Sequence, residues 1–324
     1  MDKVVVSAPA HLHAGNIDLE GSLGRLYGTL GFTISQPRLV ASFEVCGETR
    51  AEGPQAGLLE WAIEGLRSAY GLPGLCARIH QAIPRGVGLG ATTAAVLAAA
   101  SAYNALTAAG IDLRDAALEL GRSTVSALGF YSFTRGGALL DGGFPAGEKG
   151  LLIPPLLARY ELPRDWRFVV LLPAAAAPYV REVKEREESV LEELPPMSPR
   201  LAERLSRLLL MKLLPALAER NLPVLLEALT EFNGRLGAEY WSSRQAGVYC
   251  CGLVEEAAGI LRGLAGGVAQ SSWGPAVYTI APSPWEARRV AEAARRWLRG
   301  RGGGYVYVSP PDNRGARVLA AGTS

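Results

Sequence analysis

The segment Ile83–Ala95, IPRGVGLGATTAA, constrains this chain more than any other. A strand-like run, Leu75–Ile83, stops at Pro84, glycines follow at alternate positions (Gly86, Gly88, Gly90), and an alanine-rich helix begins at once. Glycine reaches positive φ without a Cβ clash, so such a loop turns sharply and can present backbone N–H groups on its inner side. The start of the next helix adds uncompensated amides and the positive end of its dipole, which together favour an anion. Thr92 and Thr93 put two hydroxyls at that helix start, which marks the turn as a candidate phosphate cradle. The competing reading is a tight strand–helix connection with no ligand. The loop lacks the GK[ST] ending of a P-loop, and it does not follow the first strand as a dinucleotide-binding GxGxxG does.

Such a loop needs a sheet to start from. Lys3–Ala8 reads as a β-branched strand, followed by a Gly-rich stretch from Gly15 to Gly31 and a strand over Leu39–Val45. Apolar spacing predicts a helix over Leu58–Tyr70, stopped by Gly71, and a long helix from Thr92 to Ala109, stopped by Gly110. Asp112 reads as the N-cap of a helix to Gly121, and Gly137–Leu140 as a strand closed by Asp141. Past Pro154, Pro155 and Pro163, Phe168–Leu172 reads as a buried strand. Helices are predicted over Val180–Leu194 and Arg200–Arg220, and from an Asn221 cap to Leu236 with Pro223 in the first turn. Glu255–Leu264, Val268–Ile280, Pro284–Leu298 and Tyr305–Val308 then alternate helix, strand, helix, strand. The expected fold is α+β in two parts. Residues 1–160 carry the phosphate loop, and residues 161–324 lay helices on one face of a small sheet.

Composition closes several classes of function. With 33 basic against 31 acidic residues and a net charge of +2, the chain lacks the basic excess that nucleic acid recruits. Small anions remain open, and since only Lys3, Lys149, Lys184 and Lys212 are lysines, an anion site here must use arginine or backbone amides. No uncharged apolar run is long enough for a membrane span, and the N-terminus is not a secretion signal. The cysteines, Cys46, Cys76, Cys250 and Cys251, contain no CxxC pair and read as small core residues of a reduced, cytoplasmic protein.

Four further segments carry candidate chemistry. In His11–Gly31, Asp18 offers a carboxylate and Arg25 a guanidinium fork, with Ser22 between them; the plain alternative is an Asp18–Arg25 ion pair pinning a hairpin. His11 and His13 would share a strand face, but no third metal ligand accompanies them, so hydrogen bonding or substrate contact is the expected role. Gly121–Gly143 supplies Arg122, Ser123, Arg135 and Asp141. Gly266–Tyr278 supplies Gln270, Ser271 and Ser272 as polar contacts and Trp273 as a wall for a ring. In Ser309–Gly315, Asn313 and Arg314 are ligand contacts or turn formers. The glutamates of Val180–Leu194 form a solvated face.

The order of these segments resembles that of the GHMP kinase superfamily, whose members place a P-x-x-x-G-L-G-S-S-A loop at the start of a helix; Pro84–Ala95 is similar to it in spacing. The blocks LH…IDLEGSLGR, GLG with following hydroxyls, RS…GGALLDGG, QSSWGP and DNRGA more specifically resemble the β-ribofuranosylaminobenzene 5′-phosphate synthase branch, and they run from His11 to Arg317. The resemblance implies a GHMP-kinase-like fold, with a left-handed βαβ crossover in the N-terminal domain and a ferredoxin-like C-terminal domain. It also implies condensation of phosphoribosyl pyrophosphate with 4-aminobenzoate or 4-hydroxybenzoate to a C-riboside, with loss of CO₂ and pyrophosphate, in tetrahydromethanopterin-type cofactor synthesis. Mg²⁺ as cofactor and a homodimer are implied likewise.

On that resemblance Asp18 would stabilise the ribosyl cation and Arg25 would grip a phosphate or the benzoate carboxylate. Gly86 to Thr93 would cradle pyrophosphate, while His13, Ser22, Arg122, Ser123, Asp141, Gln270, Ser271, Ser272, Trp273 and Asn313 would meet substrate. The chain departs from the kinase pattern where Ser126 stands in place of the catalytic aspartate and Ala91 in place of the magnesium-binding serine. It departs from the synthase pattern at His11, where arginine is usual, and at Ala269, where glycine is usual. The alternatives are an ATP-dependent small-molecule kinase and a ligand sensor without turnover.

Overall fold

The computed structural model describes residues 2–122, 124–176, 195–245 and 247–320. Two long strands dominate: β1 (Val4–Asp18) and β2 (Arg25–Cys46) form an antiparallel hairpin around a loop of residues 19–24. The glycine-rich stretch from Gly15 to Gly31, expected as a loop, is therefore mostly sheet. Its glycines are irregular sheet positions rather than a break in the chain, since the register shifts at Pro9/Ala10 and again at His13/Gly15.

After β3 (Arg50–Glu52), helix α1 (Ala56–Tyr70) crosses to β4 (Gly74–Gln81), which pairs parallel to β3 and antiparallel to β2. Helix α2 (Ala91–Thr107) is buried around most of its circumference, and its alanines let it pack closely. Asp112 caps α3 (Leu113–Glu119) through the Arg114 amide, as expected. Helix α4 (Leu128–Thr134) leads to β5 (Ala138–Asp141), which pairs with β2; β6 (Phe144–Pro145) also lies on β2, and β7 (Leu156–Tyr160) on β5.

The second part begins with β8 (Arg167–Pro173). The Val180–Leu194 helix expected from the sequence lies outside the described residues. Helix α5 (Pro199–Leu208) continues through a π-helical segment, Leu209–Leu213, to Ala218. Helix α6 (Leu222–Leu236) has the expected Asn221 cap, which accepts from the Val224 amide, and runs into a second π segment, Gly237–Trp241. Then come α7 (Gly252–Ala265), β9 (Ala269–Gln270), β10 (Val277–Ala281), α8 (Pro284–Arg299), β11 (Gly304–Ser309) and β12 (Arg317–Ala320). The strand expected across Val268–Ile280 is thus two short strands around a turn.

Among the described residues the strands form an eight-stranded sheet containing β1–β7 and β12, and a four-stranded antiparallel sheet in the order β11-β8-β10-β9. β8 explains the second sheet's setting. Phe168, Val170 and Leu172 face the main core, while Val169 and Leu171 face a second core made with α7 and α8. Both faces are covered, so the strand reads as an unbroken apolar run instead of an alternating one.

The two parts divided at residue 160 are joined by shared packing: the second core lies wholly within residues 161–324, but helices α5 and α6 share the main core with β1, and β12 pairs with β1 from Val4↔Ala320 to Ser7↔Arg317.

The cysteine expectation also changes. Cys46 and Cys76 are joined in a disulfide between neighbouring strands, and all four cysteines are only half-buried. No helix among the described residues is long and apolar enough to cross a membrane.

Candidate active site

Two tight turns from opposite ends of the chain meet beside β1. The first is the glycine loop, where Gly86, Gly88 and Gly90 take φ of 77°, 85° and 80°. The second is the turn Gln270–Gly274 between β9 and β10. At Gly88 a side chain is excluded twice over, by the positive φ and because a Cβ there would overlap the Ser271 carbonyl. Ser271 locks the three strands of chain together: its hydroxyl donates to the Gly88 carbonyl (2.6 Å) and accepts from the His13 amide (2.9 Å). Tyr278 adds a hydrogen bond from its hydroxyl to the His13 carbonyl (3.2 Å). The His11 ring lies against Gly90, and the His11 amide donates to the Leu89 carbonyl (3.3 Å).

Helix α2 therefore starts at a fixed position. Its N-cap, Gly90, has no side-chain cap, so the amides at its first turn receive no side-chain oxygen there. Thr92 and Thr93 sit half-exposed in that turn, and Thr93 packs near Gly129 of α4.

Next to the interlock lies an open cavity lined by His13 and Asn16 of β1, Asn233 and Trp241 of α6 and its π segment, and Ser272 and Trp273 of the second turn, among others. The Trp241 and Trp273 rings meet edge to face at 4.7 Å, giving the cavity an aromatic wall. Gly15 lets α6 come close, since a Cβ at this position would stand 2.7 Å from the Phe232 ring and 2.9 Å from Leu236. Asn233 stitches the contact, donating to the carbonyls of Ala14 (2.8 Å) and Gln270 (3.1 Å) and accepting from the Gln270 amide (2.9 Å). Asn16 donates to the Thr29 hydroxyl (3.1 Å).

The sequence-derived candidates divide accordingly. His13, Gln270, Ser272 and Trp273 line the cavity, and Gly86, Gly88, Gly90, Thr92 and Thr93 form the neighbouring loop and helix start. Gln270 and Ser271 have their side chains engaged by the protein itself. Gln270 is buried, with Oε1 accepting from the Cys250 amide (3.0 Å) and Nε2 donating to the Gly274 carbonyl (3.1 Å). Ser271 is fully buried.

Asn313 lies elsewhere, clasping the backbone of Leu162 through both ends of its amide, so it is a turn former. Ser22 sits at the exposed hairpin tip, bonded to Glu20. Arg122 is half-buried, and Ser123 lies outside the described residues.

The Asp18–Arg25 pair does not form. Asp18 Oδ1 accepts from the amides of Glu20 (2.7 Å) and Gly21 (3.1 Å), turning the chain at the end of β1. Arg25 instead donates from Nε to the Gly142 carbonyl (2.8 Å) and from Nη2 to that of Gly143 (2.7 Å). That places its charge beside Asp141, which is buried (2% exposed) and accepts from the amides of Ala127 (3.0 Å) and Gly143 (3.0 Å). Burial pushes the Asp141 carboxyl up to about 7, against the opposing pull of these backbone donors, the Thr29 amide and Arg25. Asp141 thus organises the start of α4 through the Ala127 amide.

Among the described residues no three His, Cys, Asp or Glu side chains converge on a point; Mg²⁺ ordinarily needs only one or two carboxylates beside substrate phosphates and water.

Asn16, Asn233, Trp241 and Gln245 are lining residues that sequence reasoning passed over. Asn233 carried a signal, being an amide on the buried face of an otherwise apolar helix, where a polar group requires partners.

The long crossing hairpin, the parallel β3–α1–β4 unit and the glycine turn opening a buried helix define the GHMP kinase fold. Residues 57–136 match the family model described as the GHMP kinases N terminal domain. A homoserine kinase from Cytophaga hutchinsonii superposes with a TM-score of 0.70 over 98% of both chains at 15% identity, a likeness of fold alone. The chain is thus similar to GHMP kinases over residues 57–136 and shares their mixed α+β fold. At the level of sequence it is similar to proteins named β-ribofuranosylphenol 5′-phosphate synthase. That of Methanothermobacter thermautotrophicus is 28% identical over 98% of this chain and 99% of its own, and that of Archaeoglobus fulgidus is 28% identical over 96% and 97%.

Proposed function

We propose that this protein is a β-ribofuranosyl-arene 5′-phosphate synthase, joining phosphoribosyl pyrophosphate to a 4-substituted benzoate with release of CO₂ and pyrophosphate. The observation that carries the reading is the juxtaposition of an uncapped helix start behind a glycine loop with a tryptophan-walled cavity, in a chain similar to two such synthases along nearly its whole length. The relatives' name contains a phenol, which favours 4-hydroxybenzoate over 4-aminobenzoate as the aromatic partner.

The cavity takes the flat ring against Trp273 and Trp241, and the amides at the start of α2 take the diphosphate. The ring carbon bearing the carboxylate attacks C1 of the ribose as the C1–O bond to pyrophosphate breaks. Loss of CO₂ then returns the electron pair to the ring and restores its aromaticity. Holding ring and ribose in one cleft converts this into an intramolecular event. Asp18, at the hairpin end of the strand that carries His13 and Asn16, is the carboxylate proposed to face the positive ribosyl centre. Arg25 is proposed as a strap on Gly142 and Gly143 in place of the anion grip. A cytoplasmic homodimer belongs to the same reading.

The test is one incubation of purified protein with phosphoribosyl pyrophosphate, magnesium chloride and 4-hydroxybenzoate labelled in its carboxyl group, with 4-aminobenzoate run in parallel. Labelled CO₂ should appear mole for mole with pyrophosphate. Absence of both products from active substrates, or ADP formation when ATP and a small alcohol are supplied instead, overturns the reading.

A further inference from the structure

Cys250 and Cys251 stand close to the cavity yet take no part in the machinery described above. They are neighbours in sequence, both half-buried, and their Sγ atoms are 3.1 Å apart. Cys251 is the residue immediately before α7, in an extended conformation, so its sulfur lies at the positive end of that helix while its carbonyl accepts from the Val254 amide (2.9 Å). Cys250 is tied to the site, since its amide donates to Gln270 Oε1 (3.0 Å) and Val248, two residues earlier, lines the cavity.

The two sulfurs are unequal. The Cys250 thiol, against the pull of burial, holds the Cys251 thiol down at about 6, whereas the contact with Cys251, together with burial, pushes Cys250 well above the usual thiol range. The lowered thiol is the one suited to act as nucleophile, the raised one as the partner that follows. Two cysteines serving only as small apolar fillers would need neither the sulfur contact nor the helix terminus.

We propose that Cys250 and Cys251 are a vicinal dithiol that a low-molecular-weight disulfide oxidises to an internal disulfide, with the change passed to the cavity through the Cys250–Gln270 hydrogen bond. The Cys251 thiolate attacks one sulfur of the reagent R–S–S–R and expels RS⁻, giving a mixed disulfide on Cys251. Cys250 then loses its proton to the expelled thiolate and attacks the Cys251 sulfur, expelling the second RS⁻, which takes a proton from water. From the Cys251 thiolate and the Cys250 thiol the protein loses one proton and two electrons, and the reagent, with that proton and one from water, becomes two thiols. Closing the sulfurs from 3.1 Å to the bonding distance of about 2 Å between adjacent residues twists the intervening peptide, and the compensating rotation about the Cys250 backbone bonds draws the Tyr249–Cys250 peptide, which carries the Cys250 N–H, away from Gln270. Because Gln270 also binds Asn233 and Gly274, the cavity wall moves with it.

The probe is glutathione disulfide added to the full-length native protein at neutral pH, with acid quench, alkylation and peptide mass mapping. The peptide carrying both cysteines should lose two hydrogens with no adduct, regain them with dithiothreitol, and show hydrogen exchange at the Cys250 amide faster by about tenfold. Cys250→Ser should trap one glutathione on Cys251, and Cys251→Ser should gain none; circular dichroism melts check that both variants are folded. The wild-type result stands alone if a variant does not fold. A wild-type pair that stays reduced, one that stops at a stable mixed disulfide, or an unchanged Cys250 amide overturns the proposal.

Discussion

Gly88 and Ser272 stand on the two turns that face each other beside the cavity, both with positive φ, 85° and 54°. The first is a glycine whose missing side chain makes room for the Ser271 carbonyl. The second keeps a hydroxymethyl group in a conformation that costs an ordinary residue on the order of 1–3 kcal/mol, and that residue lines the cavity. Where only backbone geometry is required, the chain uses the residue that reaches it freely. At Ser272 it accepts strain, and the side chain's position at the cavity is the reason to look for a ligand contact there.

Four changes test that contrast, in decreasing order of effect. Gly88→Ala combines backbone strain with overlap on a carbonyl that has nowhere to move, and should lower stability by about 3 kcal/mol in urea unfolding. A loss below about 1 kcal/mol would mean that the turns are not interlocked. Ser271→Ala leaves the His13 amide and the Gly88 carbonyl without their shared partner and should cost about 2 kcal/mol, with the protein still folded.

Asp141→Asn tests a third site, where a buried carboxyl rather than a turn fixes the chain. Because its folded value is raised to about 7 from 3.8, its protonated form is favoured in the native state. Its contribution is therefore full below about 4 and lost as pH climbs through about 7. The melting-temperature gap between wild type and Asp141→Asn should accordingly narrow as pH rises across that window, and a gap that widens would contradict it. Ser272→Gly, the smallest effect, should raise stability by about 0.5 kcal/mol while lowering turnover. Unchanged turnover would leave the serine without a role.

Sequence reading reached furthest where chemistry and local geometry coincide. The glycine loop and the Asp112 and Asn221 caps were legible, because each depends on a residue type needed within a few positions, whereas the turn after Gln270 was read as part of one strand. Long-range packing was not. Gly15 and Gly31 look like loop formers but sit in strands, where Gly31 makes room for Leu128 and Gly15 for Phe232. Arg25 has a carboxylate seven residues away, yet the fold brings it Gly142 and Gly143, more than a hundred residues along the chain. Trp241 enters the site only through a π-helical turn that no periodicity announces. Asn313, attractive in its polar loop, is consumed by Leu162.

The pairing of β12 with β1 sets a rule for biosynthesis. Residues Val4–Ser7 emerge from the ribosome before the partner that covers their outer edge, Arg317–Ala320. Until that partner is made the nascent chain carries an open strand edge, the kind of surface that templates aggregation. Closure is a single late event that brings the two ends of the described chain side by side. A circular permutant joining them through a short linker and opened at the exposed hairpin tip near Ser22 would supply that partner early.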